Sequence, residues 1–346
     1  MFIEVRRMVI RKTVNTRSLR LGVSLAVLLS VLAPTKGTTQ SAPADQDESG
    51  VQALSPRAAA PEMAEHRFTS ISIVRSPFVR TYYKNSLGVG ATTGLTLPPI
   101  EIGGNQVQFE TGSILFTTLR IEYQQAATEW LGVWADLQVA GRLGTETESL
   151  LSQGVTVVSG YDFGWLIQAW QSDDLLVSGM VQLTNASYTA VDLIGFVEGV
   201  ADDGLTQDDR LVFTSPLMFG STGVSCAWAP SRTVGVTAAA NLGYGESVDQ
   251  NSSNKWYSDI GAAVDLDLRR NLPVPLGVAG GIRFASIPTA DQQLEGNATT
   301  LALRTDYIGR HDLSLGLEFA SQWQDIRGLD NSMRYTTMTM DFRYYF

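Results

Sequence analysis

The sequence predicts an all-β protein: a closed, antiparallel, up-and-down transmembrane β-barrel of about twelve strands. Three observations carry that expectation. From about Ser86 onward, apolar and polar residues alternate with period two, which gives each strand one apolar and one polar face. The connections between these stretches switch regularly between short and long. Hydrophobic residues make up 44% of the chain, yet no run of about twenty apolar residues exists such as a membrane helix needs. Charged residues are 17%, below the ~25% usual for soluble domains.

Residues 1–37 read as a cleaved export signal. Arg6, Arg7, Arg11, Lys12, Arg17 and Arg20 form a basic opening, and Leu21 to Ala33 an apolar stretch too short to anchor. Cleavage is placed after Gly37, or as late as Ala44 in Ala42-Pro43-Ala44. Its removal leaves 18 basic against 34 acidic residues, a net charge of −16. That charge argues against nucleic acid, which needs a basic face. Residues 38–67 are rich in Thr, Ala, Pro, Ser and acids and read as a flexible periplasmic leader. Residues 68–85 are more apolar and read either as a plug or as an extra strand.

The barrel is expected over 86–346. Its strands are placed at 86–97, 107–125, 130–143, 161–170, 175–188, 215–228, 233–246, 257–269, 274–287, 299–308, 313–325 and 333–346. Ile260, Ala262, Val264, Leu266 and Leu268 against Asp259, Asp265 and Asp267 show the alternation clearly; 215–228 alternates poorly and its phase stays open. Each stretch matches or nearly matches the ~9–11 residues that cross a bilayer at a tilt. Gaps at 126–129, 171–174, 229–232, 270–273 and 309–312 are four residues each. Longer gaps alternate with them at 144–160, 189–214, 247–256, 288–298 and 326–332. Transmembrane barrels have tight turns at one rim and long loops at the other, whereas a soluble sandwich has no reason to sort its loops so.

The end of the sequence alternates too: Met338, Met340, Phe342, Tyr344 and Phe346 on one face, Asp341 and Arg343 on the other. Met340, Phe342, Tyr344 and Phe346 resemble the carboxy-terminal assembly signal of Gram-negative outer-membrane proteins. The resemblance covers residues 86–346 at the level of class and names no particular family. It implies localisation in the outer membrane, the lipid bilayer and the barrel-assembly machinery as partners, and Phe346 at the periplasmic rim. Counting back from there puts the four-residue turns in the periplasm and the long loops outside.

Enzymatic outer-membrane barrels depend on histidine. This chain has two: His66 in the leader and His311 in the turn Gly309-Arg310-His311-Asp312. A serine without a partner base is not a nucleophile, and the single cysteine, Cys226, allows no disulfide or cysteine metal site. No catalytic residue, metal or cofactor is expected. The candidate site is instead the inward face: Arg120, Glu122, Asp136, Asp162, Asp265, Asp267, Arg283, Arg304, Asp306, Glu318, Asp341 and Arg343. Buried charges must be paired or solvated, so these residues either line water or form ion-pair ladders. If they line water, the barrel is a porin-like passive channel for small solutes with a mild cation preference. The alternatives are a non-conducting structural or surface-binding barrel, and a gated channel for hydrophobic compounds. The last reading draws on Val191 to Val200, whose apolar spacing suggests a short amphipathic helix beside the acidic stretch 198–210.

Overall fold

A computed structural model describes residues 59–93, 100–102, 105–107, 114–143, 154–191, 212–246, 254–287, 296–326 and 333–346. The export signal, most of the leader, the amphipathic stretch beyond Val191 and the acidic stretch 198–210 lie outside the described residues.

The strands are β1 (Glu62–Met63), β2 (His66–Arg67), β3 (Tyr82–Thr93), β4 (Ile100–Ile102), β5 (Asn105–Val107), β6 (Ile114–Ala126), β7 (Leu131–Leu143) and β8 (Gly154–Gln171). They continue with β9 (Leu175–Val191), β10 (Val212–Trp228), β11 (Val234–Gly245), β12 (Lys255–Asp267), β13 (Leu276–Ile287), β14 (Gly296–Tyr307), β15 (Leu313–Ile326) and β16 (Met333–Tyr345). Twelve of them, β3 and β6 to β16, close into one barrel in sequence order, with β16 pairing β3. Every neighbouring pair is antiparallel. Closure leaves no unpaired sheet edge, the condition for a sheet to sit in lipid. The pairs β1–β2 and β4–β5 are small separate hairpins.

Strand identity agrees with the sequence reading, and several boundaries differ. The first barrel strand begins at Tyr82 rather than residue 86. The stretch 107–125 is divided: Asn105–Val107 belongs to a hairpin and the barrel strand starts at Ile114. β8 is longer than 161–170 and has register shifts near Val155 and near Gln168. The second shift inverts its phase, so Trp165 and Ile167 face out and then Trp170 does. The turn placed at 270–273 spans 268–275, because Pro273 and Pro275 cannot donate to the ladder. In β10 the open phase resolves with Met218, Val224 and Trp228 outward.

The outer face is apolar. Leu87, Val89, Leu137, Ile260, Leu303, Phe319 and Met340 are all exposed. Aromatic residues edge this belt, with Trp130, Trp170 and Trp228 near the short turns and Tyr244 and Trp256 towards the long loops. Tyr244 pairs with Gly220, eight residues along β10 from Trp228. At about 3.3 Å per residue and ~40° tilt the belt is about 20 Å tall, near the ~25 Å of transmembrane barrels. Met340, Phe342, Tyr344 and Phe346 belong to this outer face.

Residues 59–81 lie inside the short-turn half of the barrel. Ala60 N–H donates to the carbonyl of His311 in the turn after β14, at 2.7 Å. β1 and β2 then form a tight hairpin whose two turn residues, Ala64 and Glu65, have φ of 49° and 62°. Such positions normally take Gly or Asn; here the Glu65 carboxylate is tied to Arg232 at 2.9 Å and Arg270 at 2.6 Å. The Arg270 hydrogen bond holds that carboxyl below its usual range. The chain reaches deepest near Ile73, whose carbonyl lies against Gly261, and returns to the rim at Thr81, whose Oγ1 accepts from Ala126 N–H. Ile71, Ile73, Val74 and Val79 pack on Trp134, Leu166, Met180 and a set of wall alanines, Ala126, Ala239, Ala263, Ala279 and Ala302. The small wall residues leave the space that the segment fills.

Candidate functional site

The alternation places all twelve sequence-predicted residues on the inward faces of their strands, opposite the exposed apolar set. The structure gathers them into several groups rather than one.

The densest group centres on Arg304 in β14. Its guanidinium donates to Asp306 at 2.6 Å, to Asp341 at 2.8 Å and to Glu318 at 3.4 Å. Lys84 Nζ stands 3.8 Å from Asp341. All five side chains are at most 5% exposed. Gly316, directly across from Asp306, makes this possible, because a Cβ there would collide with the Arg304 guanidinium. Arg343 lies beside the group, its guanidinium 4.8 Å from the Tyr82 ring centroid. Arg120 pairs with Asp136, its Nε 2.6 Å from the carboxylate. Arg283 and Asp259 form a two-pronged pair at 2.8 and 2.7 Å. Asp162 accepts from Gln182 at 3.3 Å.

The other carboxylates meet the inner segment. Asp265 Oδ1 is 2.5 Å from His66 Nε2. Asp267 accepts from the Arg67 N–H at 3.1 Å and from Arg269. The Arg67 side chain donates to the carbonyls of Ile308, at 2.6 Å, and Arg310. Glu318 accepts from the Ser72 N–H at 3.0 Å and from its hydroxyl. Glu122 accepts from Arg75 and from the Tyr82 hydroxyl, both at 2.6 Å. The Arg75 guanidinium also stacks 3.9 Å from the Trp134 ring centroid. Four wall carboxylates on β6, β12 and β15 thus hold the segment by hydrogen bonds or ion pairs.

His66, Arg67, Ser72 and Arg75 were not among the expected site residues. Residues 59–67, which the sequence reading assigns to the leader, include His66 and Arg67, at 0% and 1% exposure. The signal available in the sequence was cationic and hydroxyl residues interleaved with Phe68, Ile71, Ile73, Val74 and Phe78. His311 is exposed in its turn, and its backbone carbonyl joins it to the segment.

Among the described residues, two of the cavities along the wall adjoin these groups. One, of about 270 Å³, adjoins the Arg304 group and Ser72 and is lined also by Thr118, Gln138 and Thr339. The other, of about 140 Å³, lies on β9 to β13 towards the long-loop end.

A closed barrel with an apolar, aromatic-edged exterior and a polar interior is a transmembrane β-barrel. No protein-family model and no curated protein sequence matches the chain. Among solved structures it is similar to an outer-membrane channel from Pseudomonas putida F1, at 10% identity and TM-score 0.47, over 81% of this chain and 100% of that one. It is similar to the translocator domain of the autotransporter NalP from Neisseria meningitidis, at 10% identity and TM-score 0.46, over 77% and 88%. It is also similar to the P. putida toluene transporter TodX, at 12% identity and TM-score 0.39, over 77% and 90%.

Proposed function

We propose that the protein is a passive outer-membrane channel for small polar solutes, closed from the periplasmic side by residues 59–81. The observation that carries this reading is how the segment is held. It is a continuous stretch preceding β3, bound to the wall by side-chain contacts and a few turn hydrogen bonds, while the barrel ladder closes without it. It can therefore shift without opening the barrel, and a shift connects the cavities beyond it to the short-turn rim. The inward-facing charges divide into two main roles in this proposal. The Arg304 group keeps one wall rigid, and Glu122, Asp265, Asp267 and Glu318 hold the segment. When the segment leaves, these carboxylates lose His66, Arg75 and the donors of Arg67 and Ser72, so the open lumen prefers cations. Transport rather than catalysis fits an interior whose charged groups neutralise one another. Export through the N-terminal signal and insertion by the barrel-assembly machinery belong to the same proposal.

A second reading, a closed structural barrel, is favoured by the burial of the Arg304 group. Purified full-length protein in planar bilayers separates the two. The channel reading expects brief openings, with a reversal potential in a KCl gradient that favours K⁺ and weakens as salt screens the carboxylates. A protein that inserts but never conducts, even when the segment's contacts are removed, rejects the channel and leaves the structural barrel.

A further inference from the structure

The two halves of the lumen differ in chemistry. Around residues 59–81 the wall is charged. Towards the long-loop end, β9 to β13 present a neutral polar and aromatic surface around the cavity of about 140 Å³. We infer that this cavity is a binding subsite for an uncharged, polyhydroxylated solute, a sugar or polyol. The inference rests on the channel reading above and names the substrate class it would select.

The wall combines three features. First, Phe219 and Tyr257 place two rings side by side, with centroids 5.0 Å apart and planes at 41°. They offer an apolar face to the C–H side of a sugar ring in an otherwise polar wall. Second, Gln182, Ser221 and Asn241 lie on the inward faces of three adjacent strands and line the same space. Amides and hydroxyls both donate and accept, as a hydroxyl ligand requires. The Oδ1 of Asn241 is lodged over Gly223 of β10, where a Cβ would collide with it, so Asn241 meets the cavity with the rest of its side chain. Third, the one charged pair in the lining, Asp259 with Arg283, is two-pronged and self-neutralising. It gives a planar hydrogen-bonding edge with no net charge. Gly243 and Ala285 keep the floor low between these groups.

The same features disfavour other solutes. A free anion or cation finds its countercharge already engaged. An apolar compound would strip water from the amides, the serine and the ion pair without replacing their hydrogen bonds, which costs free energy for each group left unmade. A sugar satisfies both the rings and the polar groups, the usual combination of apolar surface and a few placed polar groups in small-molecule sites.

The test is isothermal titration calorimetry of the full chain in detergent micelles, with glucose, maltose and sorbitol as probes and sodium sulfate and indole as contrasts. Saturable binding of at least one neutral probe is expected, with sulfate and indole silent. Phe219→Ala and Asn241→Leu should each weaken binding about ten-fold, and Leu242→Ala, which faces outward, should leave it unchanged. Ser221→Phe, which fills the cavity from the wall, should abolish it, and heat-modifiable gel mobility checks that each variant is folded. No binding of any neutral probe, equal binding of sulfate or indole, or wild-type affinity in the folded wall variants overturns the inference. Binding is read without a membrane, so a barrel that binds but never conducts overturns the channel and leaves the subsite standing.

Discussion

Replacing Arg75 by alanine removes one of the strongest contacts holding the inner segment. The guanidinium donates to Glu122 at 2.6 Å and lies 3.9 Å from the Trp134 ring centroid. A hydrogen bond to a charged group contributes about 1.5–3 kcal/mol, and a cation over an aromatic ring about 0.5–1 kcal/mol or more. The loss is tempered because Glu122 keeps the Tyr82 hydroxyl at 2.6 Å, so its carboxylate is not stranded. A net weakening of about 2–3 kcal/mol is expected, which at about 1.4 kcal/mol per decade raises the open-to-closed ratio by about 30- to 150-fold. The assay is single-channel recording in a planar bilayer, with open probability compared between wild type and Arg75→Ala at the same voltage and salt. The variant should also shift its reversal potential further towards K⁺, because Glu122 then faces the lumen without its guanidinium. A change of less than about three-fold, on the same scale of about 1.4 kcal/mol per decade, refutes the idea that this contact holds a gate. So does a larger conductance with unchanged selectivity.

Three further outcomes follow from the same structure. Leu303→Arg puts a charge mid-strand on the outer face, where it should cost about 2–4 kcal/mol of stability in lipid vesicles by denaturant titration; a soluble barrel would tolerate it. Arg304→Met leaves Asp306, Glu318 and Asp341 facing one another, and should cost about 3–5 kcal/mol if the group is dry; a loss below about 1 kcal/mol, the worth of a solvated pair, would mean that water fills that half of the lumen. Single cysteines at Glu246 and Arg232, in a Cys226→Ala background, test orientation by labelling intact cells. Glu246→Cys should react directly and Arg232→Cys only after the outer membrane is opened, and the reverse pattern inverts the topology.

The barrel was legible because its determinants are local and periodic. One glance along Ile260 to Leu268 gives the two faces of β12, and lipid outside with polar groups inside enforces that pattern over the whole strand. Boundaries were harder where the backbone breaks period. The shift near Gln168 moves Trp170 onto the outer face out of step with Ile167, and Pro273 with Pro275 lengthens a turn that composition alone makes look like four residues. The carboxylates and arginines of the inward face were readable from phase, but their partners were not. Arg304 meets Asp341 across 37 positions of sequence, and Glu318 meets Ser72 across 246. The inner segment was the least legible part, because an irregular chain has no period. Its fit depends on small wall residues such as Gly261, Ala263 and Ala279, which in the sequence look like ordinary strand filler.

If residues 59–81 control passage through the lumen, a reversible tether on them should stop and restore conduction. Thr69 and Gly277 suit the purpose, since a Cβ at Gly277 would meet the Thr69 side chain. In an Arg75→Ala, Cys226→Ala background, Thr69→Cys with Gly277→Cys should form a disulfide that pins the segment to β13. Single-channel recording is then made before and after reduction. The oxidised barrel should be silent and should begin to conduct on reduction, with the K⁺ preference of the untethered variant. Equal conductance in both states would show that solutes pass without the segment moving, and would contradict the account.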